Sequence, residues 1–137
     1  MTADDETRAR NRAALTGAVA AINAGDAAAQ MGHYTDDLVL EFPYADPPKR
    51  MQGKDVVLPY LANALALFEL DLRVVEVHET TDPDEVVVEA AATGTFVPNG
   101  APYENRYVIV YGFRDGLICR QREYYNPLAA QRSAAAG

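Results

Sequence analysis

The chain has 137 residues, a mass of 14.9 kDa and one cysteine, which suits one domain and is too short for two. Hydrophobic residues at 49% and charged residues at 23% are globular proportions that exclude global disorder. The net charge of −8, spread along the chain without a block, argues against nucleic acid and anionic membrane surfaces as partners, because both select basic patches.

The first third predicts helices. Ala13, Ala14, Gly17, Val19, Ala20 and Ile22 recur near the helical period, and Asn23-Ala24-Gly25 is a stop signal. Asp26 caps a short second helix through Met31 and Tyr34, and Leu38–Phe42 reads as a strand. Pro43, Pro47 and Pro48 predict a loop over 43–52. A third helix is expected from Gly53 to Phe68, with Pro59 kinking it or delaying its start. From Leu70 the pattern turns to strands over 70–79, 85–97, 103–114 and 117–125, with Arg114-Asp115-Gly116 as a tight-hairpin signal. The stretch after Pro127 has nothing large to bury, so the expected ordered core is 8–128, with a flexible tail over 129–137. The whole of 1–137 reads as a single α+β domain, three helices packed on one face of an antiparallel sheet. Cys119 has no internal disulfide partner, and neither a signal peptide nor a long apolar run is visible. A cytoplasmic setting is therefore expected.

Certain segments carry a family likeness. Ile22-Asn23-Ala24-Gly25-Asp26, Tyr34-Thr35-Asp36-Asp37 and Gly53-Lys54-Asp55, followed by the meander, resemble the SnoaL-like branch of the nuclear transport factor 2-like superfamily. Glu79-Thr80-Thr81-Asp82-Pro83, Tyr103-Glu104-Asn105 and Arg122-Glu123-Tyr124-Tyr125-Asn126-Pro127 are similar to the phenazine biosynthesis A/B family. The resemblance implies a cone-shaped, usually dimeric domain. Its strongly curved sheet would hold an apolar pocket for acid–base chemistry on small cyclic or polyketide-like carbonyl compounds, without a cofactor. It implies that Glu123 is the acid/base group. The family's histidine on the third helix corresponds to Tyr60, whose ordinary pKa near 10 bars it from acting as a base at neutral pH. Against ketosteroid isomerase the comparison fails: the aspartate before a proline becomes Phe42-Pro43, and the helix-1 tyrosine becomes Ala18.

The residues themselves support Glu123 on separate grounds. Strand alternation puts Cys119, Gln121, Glu123 and Tyr125 on one face and Arg120, Arg122 and Tyr124 on the other. If the arginines face outward, Glu123 enters the pocket and desolvation raises its pKa; the alternative is a surface glutamate paired with Arg120 or Arg122. Tyr60 is the second catalytic candidate. The candidate substrate contacts are Phe42, Tyr44, Asn63, His78, Asn105, Tyr107, Gln121 and Tyr125. Together with Phe68, Phe96, Tyr103, Tyr111 and Tyr124 they supply aromatic walls suited to a flat cyclic ligand. His33 and His78 have no nearby His or Cys partner, so no metal site is expected. Valines and tyrosines at outward strand positions predict a homodimer through the outer face of the sheet. Three functions follow: a cofactor-independent isomerase, cyclase or condensation enzyme; a noncatalytic small-molecule binder; or an epoxide hydrolase using Glu41 or Asp46 beside Glu123.

Overall fold

Thr2 and Asp5 form a reciprocal capping box at the head of α1 (Ala3–Asn23) in the computed structural model, which describes residues 1–136. The helix therefore starts well before the apolar periodicity that begins at Ala13. Leu15, Ala18 and Ala21 are buried, and small residues let the helix lie close to what it covers. Asn23 ends it on the sheet: its Oδ1 accepts from the Leu72 N–H at 2.7 Å and its Nδ2 donates to the Leu72 carbonyl at 3.0 Å. Asp26 caps α2 (Ala27–Met31) by accepting from the Ala29 N–H. This helix stops short of Tyr34, which opens β1 (Tyr34–Phe42), because Tyr34 pairs with Ile118 in the sheet.

The expected loop over 43–52 holds a short edge strand, β2 (Lys49–Gln52), paired with β1 from Val39↔Gln52 to Phe42↔Lys49. The prolines confine the irregular backbone to the turn, and the four residues beyond them keep their N–H groups. Then come α3 (Lys54–Leu67), β3 (Phe68–Glu79), β4 (Glu85–Phe96), β5 (Ala101–Arg114) and β6 (Leu117–Tyr125). Asp115 and Gly116, both at positive φ, make the β5–β6 turn that the sequence signals.

The six strands run in the order β2-β1-β6-β5-β4-β3. All neighbours are antiparallel except β1 and β6, which are parallel. Strands β3 to β6 form the expected antiparallel meander, but the parallel β1 makes the sheet as a whole mixed and not antiparallel throughout; α3 and the four strands β2 to β5 supply the long crossover that a parallel pair needs. Inward residues of every long strand, including Leu40, Val88, Ile109 and Ile118, form one core with α1 and Val57 of α3. Gly94 permits the close approach of β4 to β3: a Cβ there would lie 1.8 Å from the Glu69 carbonyl oxygen.

The tail corrects a further expectation. Residues Pro127–Ala135 form a fourth helix, α4, capped by the Asn126 side chain with proline in its first turn. Ser133 Oγ donates to the Pro102 carbonyl at 2.7 Å, and Asn99 Nδ2 reaches the Ser133 and Ala136 carbonyls at 2.9 and 2.7 Å. Small side chains allow this close docking, so the composition that suggested fraying is what lets the helix sit down. Gly137 lies outside the described residues. Among those residues no helix is long and apolar enough to cross a membrane.

Candidate functional site

The inward parity of β6 is reset by a bulge. Gly112 pairs with Arg120 while Phe113 pairs with Ile118, so Cys119 has no partner across the ladder. Ile118 below the bulge and Gln121 above it both face the core and are buried. Cys119 is thereby turned off the expected pocket face, whereas Gln121, Glu123 and Tyr125 keep it.

These three line a cavity of about 250 Å³. Phe42 stands at 5.8 Å from both Tyr60 and Tyr125, ring centre to ring centre, and its contact with Tyr125 is edge-on. Across from them Phe68 packs on Tyr103 at 4.9 Å, and the Tyr103 and Tyr107 hydroxyls are hydrogen-bonded at 2.7 Å. Leucines of α3 and β3 fill the remaining wall, and Ala130 of α4 closes one side. The Lys49 ammonium lies 4.9 Å above the Tyr60 ring, yet no Lys, Arg or His lines the cavity among the described residues.

The Glu123 carboxyl is the one acid in that lining. Some of the residue's surface remains accessible, but its carboxyl group is enclosed by protein atoms, and desolvation pushes its pKa up to about 7, against a smaller lowering by the Gln121 hydrogen bond. Gln121 Nε2 donates to it at 3.3 Å. Gln121 in turn is bonded through Oε1 to the Tyr34 hydroxyl, and Gln30 Nε2 of α2 donates to Tyr34 at 3.3 Å. Burial, reinforced by the Glu123 charge, also raises the Tyr60 and Tyr125 hydroxyls above their ordinary range. The arrangement is a single carboxyl that titrates near neutrality inside an aromatic chamber.

A family model described as a SnoaL-like domain matches residues 15–121. The chain belongs to the SnoaL-like domain family. An uncharacterised PhzA/B-like protein of Pseudomonas aeruginosa is 33% identical to it over 110 residues, covering 76% of this chain and 75% of that one. The crystal structure of a candidate isomerase from Bacillus subtilis superposes with a TM-score of 0.88 at 27% identity, covering 99% of this chain and 98% of the other. TerC, crystallised with polyporic acid, has the same fold at a TM-score of 0.78 and 19% identity, covering 90% and 97%. The architecture is accordingly the α+β nuclear transport factor 2-like fold.

In this SnoaL-like domain the structure gathers Glu123, Tyr60, Phe42, Tyr107, Gln121 and Tyr125 around one cavity. It leaves four candidates outside. Tyr44 is 62% exposed and meets Tyr124 edge-on at 5.2 Å, on the opposite side of the sheet. Asn63 faces solvent from the outer side of α3. Asn105 is buried but ties β5 to the cap of α4: its Nδ2 donates to the Asn126 carbonyl and to the Tyr103 hydroxyl, each at 2.9 Å. His78 lies on the outer face of the sheet with Glu89 Oε2 at 2.6 Å, a contact that raises its pKa. His78, Glu76 and Glu89 offer three ligand atoms within 4.8 Å of one another. All three are exposed, and the cluster has no connection to the cavity. Neither Glu41 nor Asp46 lines the cavity, so no second carboxylate joins Glu123 there among the described residues. Gln30 and Tyr34 are the polar residues that sequence reasoning missed. Their part in the site depends on α2 and β1 lying against β6, which no local pattern announces.

Proposed function

We propose that this SnoaL-like protein is a cofactor-independent acid–base enzyme, of isomerase, cyclase or condensation type, acting on a small cyclic or polyketide-like carbonyl compound. The observation that carries the reading is Glu123, a carboxyl with a pKa of about 7 in an aromatic cavity. A base is most effective when its pKa lies near the working pH. The carboxylate removes a proton from the carbon beside the ligand's carbonyl and returns it elsewhere on the ring or chain. Tyr60, whose raised pKa keeps it protonated, donates to the oxygen on which negative charge develops. The lining offers no cation to pair with an anion among the described residues, which favours an uncharged ligand. The crystallisation of TerC with polyporic acid supports a small-molecule site in this fold. The reading includes a sheet curved around the cavity. It also includes a homodimer through the outer sheet face, supported by Val108 at 43% exposure and by Tyr124 on that side.

The test is proton exchange at carbon. Cyclic ketones incubated with the protein in deuterated buffer exchange their α-hydrogens faster than in buffer alone, and Glu123→Gln lowers that rate by about 10²-fold. Exchange no faster than buffer, with binding retained, would favour the second reading, a noncatalytic binder. One observation speaks for that alternative: the only side-chain hydrogen bond to Glu123 comes from an amide, and no second proton-transfer group of neutral pKa lines the cavity among the described residues.

A further inference from the structure

The polar groups beside Glu123 form a chain in which each hydrogen bond dictates the next. A charged carboxylate can only accept, so Gln121 must turn Nε2 toward it. Gln121 Oε1 is then the atom left to accept from the Tyr34 hydroxyl. Tyr34, having donated its one proton, can only accept from its other neighbour, and Gln30 supplies Nε2 at 3.3 Å. The chain ends at Gln30 Oε1, which is buried and has no hydrogen-bond partner. Gln30 is 2% exposed and lines the same cavity as Glu123. A buried polar atom without a partner is an exception that calls for an explanation, and a ligand in the cavity supplies one.

Protonation of Glu123 gives the carboxyl a proton to donate, which allows the chain to run the other way. The carboxyl O–H donates to Gln121 Oε1, the Gln121 amide having rotated half a turn to exchange its nitrogen and oxygen. Gln121 Nε2 then donates to the Tyr34 oxygen, the Tyr34 hydroxyl swings to Gln30 Oε1, and the rotated Gln30 amide presents N–H to the cavity. The balance is simple: one proton is taken up at Glu123, none travels along the chain, and no heavy-atom bond changes.

We propose that Gln30 is a ligand-binding residue whose hydrogen-bonding sense is set by the charge of Glu123 through Gln121 and Tyr34. It accepts from a ligand hydroxyl when Glu123 is charged and donates to a ligand carbonyl when Glu123 is protonated. This rests on the cavity being the ligand site, as proposed above, and narrows the substrate class to uncharged ring compounds that present a ketone or its enol at one position. The titratable groups facing Glu123 are tyrosines: Tyr34 from β1, Tyr60 from α3, Tyr103, Tyr107 and Tyr111 from β5, and Tyr125 from β6. All are held above their ordinary range, so Glu123, at about 7, is the group that changes charge near neutrality.

Side-chain amide resonances of the ligand-free protein test the relay without any substrate. As pH crosses the Glu123 midpoint, the Nε2 protons of both Gln121 and Gln30 shift, with the midpoint of the Glu123 carboxyl carbon. In Tyr34→Phe, Gln121 keeps that transition and Gln30 loses it. A wild-type Gln30 amide that ignores pH while Gln121 follows Glu123 overturns the relay, whether or not the Phe variant folds; so does a Gln30 transition that survives in Tyr34→Phe. The ligand contact is read with α-tetralone, an uncharged ring ketone. Gln30→Met weakens its binding about tenfold below the midpoint, one hydrogen bond's worth, and leaves it unchanged above. Equal affinities of the variant and wild type at both pH values overturn the contact. If wild type binds no tetralone at any pH while the amide transitions hold, the relay stands and the ring-ketone reading of the cavity falls.

Discussion

Glu123 couples the site to the stability of the molecule. Its folded pKa of about 7 stands above the ordinary 4.5, so the native state holds this proton more tightly than the unfolded chain does. The resulting stabilisation is fully present below the unfolded pKa, declines as pH rises from about 4.5 toward 7, and is gone above that. A shift of this size corresponds to about 3 kcal/mol. Glu123→Gln removes the titration, so the variant matches wild type near pH 4 (about the unfolded pKa) and exceeds it by about that amount above pH 8. Urea titrations at the two pH values check this; equal pH profiles for both proteins would mean the carboxyl is solvated. The residue's inward position was legible because alternation along β6 forces arginines and glutamate apart. Cys119 was misplaced by the same rule, since a bulge leaves no mark in composition. Asn105 was misread because a buried amide that ties a strand to a helix cap and one that binds a ligand look alike in sequence.

At the level of elements, strong periodicity and turn chemistry were readable, and docking was not. The Asp115-Gly116 turn, the long strands and α3 could be placed from the chain alone, since each depends on local backbone preference. Strand β2 and helix α4 form because a neighbour receives them. Asn99 shows how: one amide binds two carbonyls at the end of α4, while its oxygen accepts from the Ala101 N–H at 2.9 Å. Asn99→Ala should cost about 1–2 kcal/mol and accelerate amide hydrogen exchange selectively over Pro127–Ala135. Because Ala130 is part of the cavity wall, the same variant should weaken ligand binding without touching Glu123. Asn23 performs the corresponding task for α1, holding both backbone groups of Leu72. Asn23→Ala is expected to lower the denaturation midpoint by a similar amount while leaving the Glu123 titration in place.

For the whole molecule the proposed dimer makes the next testable statement. Sedimentation at micromolar concentration should give a species near twice 14.9 kDa, and Val108→Glu, a charge set into the middle of the outer face, should return it to monomer with its fold intact. A wild-type monomer would refute the dimer. The family was readable from the order of elements, but the parallel β1–β6 contact was not, because it joins segments about eighty residues apart by a route that no turn signal marks. That contact also orders events in time. Strands β3 to β6 meet their chain neighbours through short turns, whereas β1 reaches β6 only after a long loop has closed, a slower step. Glu123 and the tyrosines of β5 are therefore expected to share a sheet before Gln30 and Tyr34 arrive. Until β1 docks, the carboxyl stands on an open, wet surface, where an ordinary pKa is expected. The raised Glu123 pKa, and the proton transfer proposed for it, then depend on the last strand to dock.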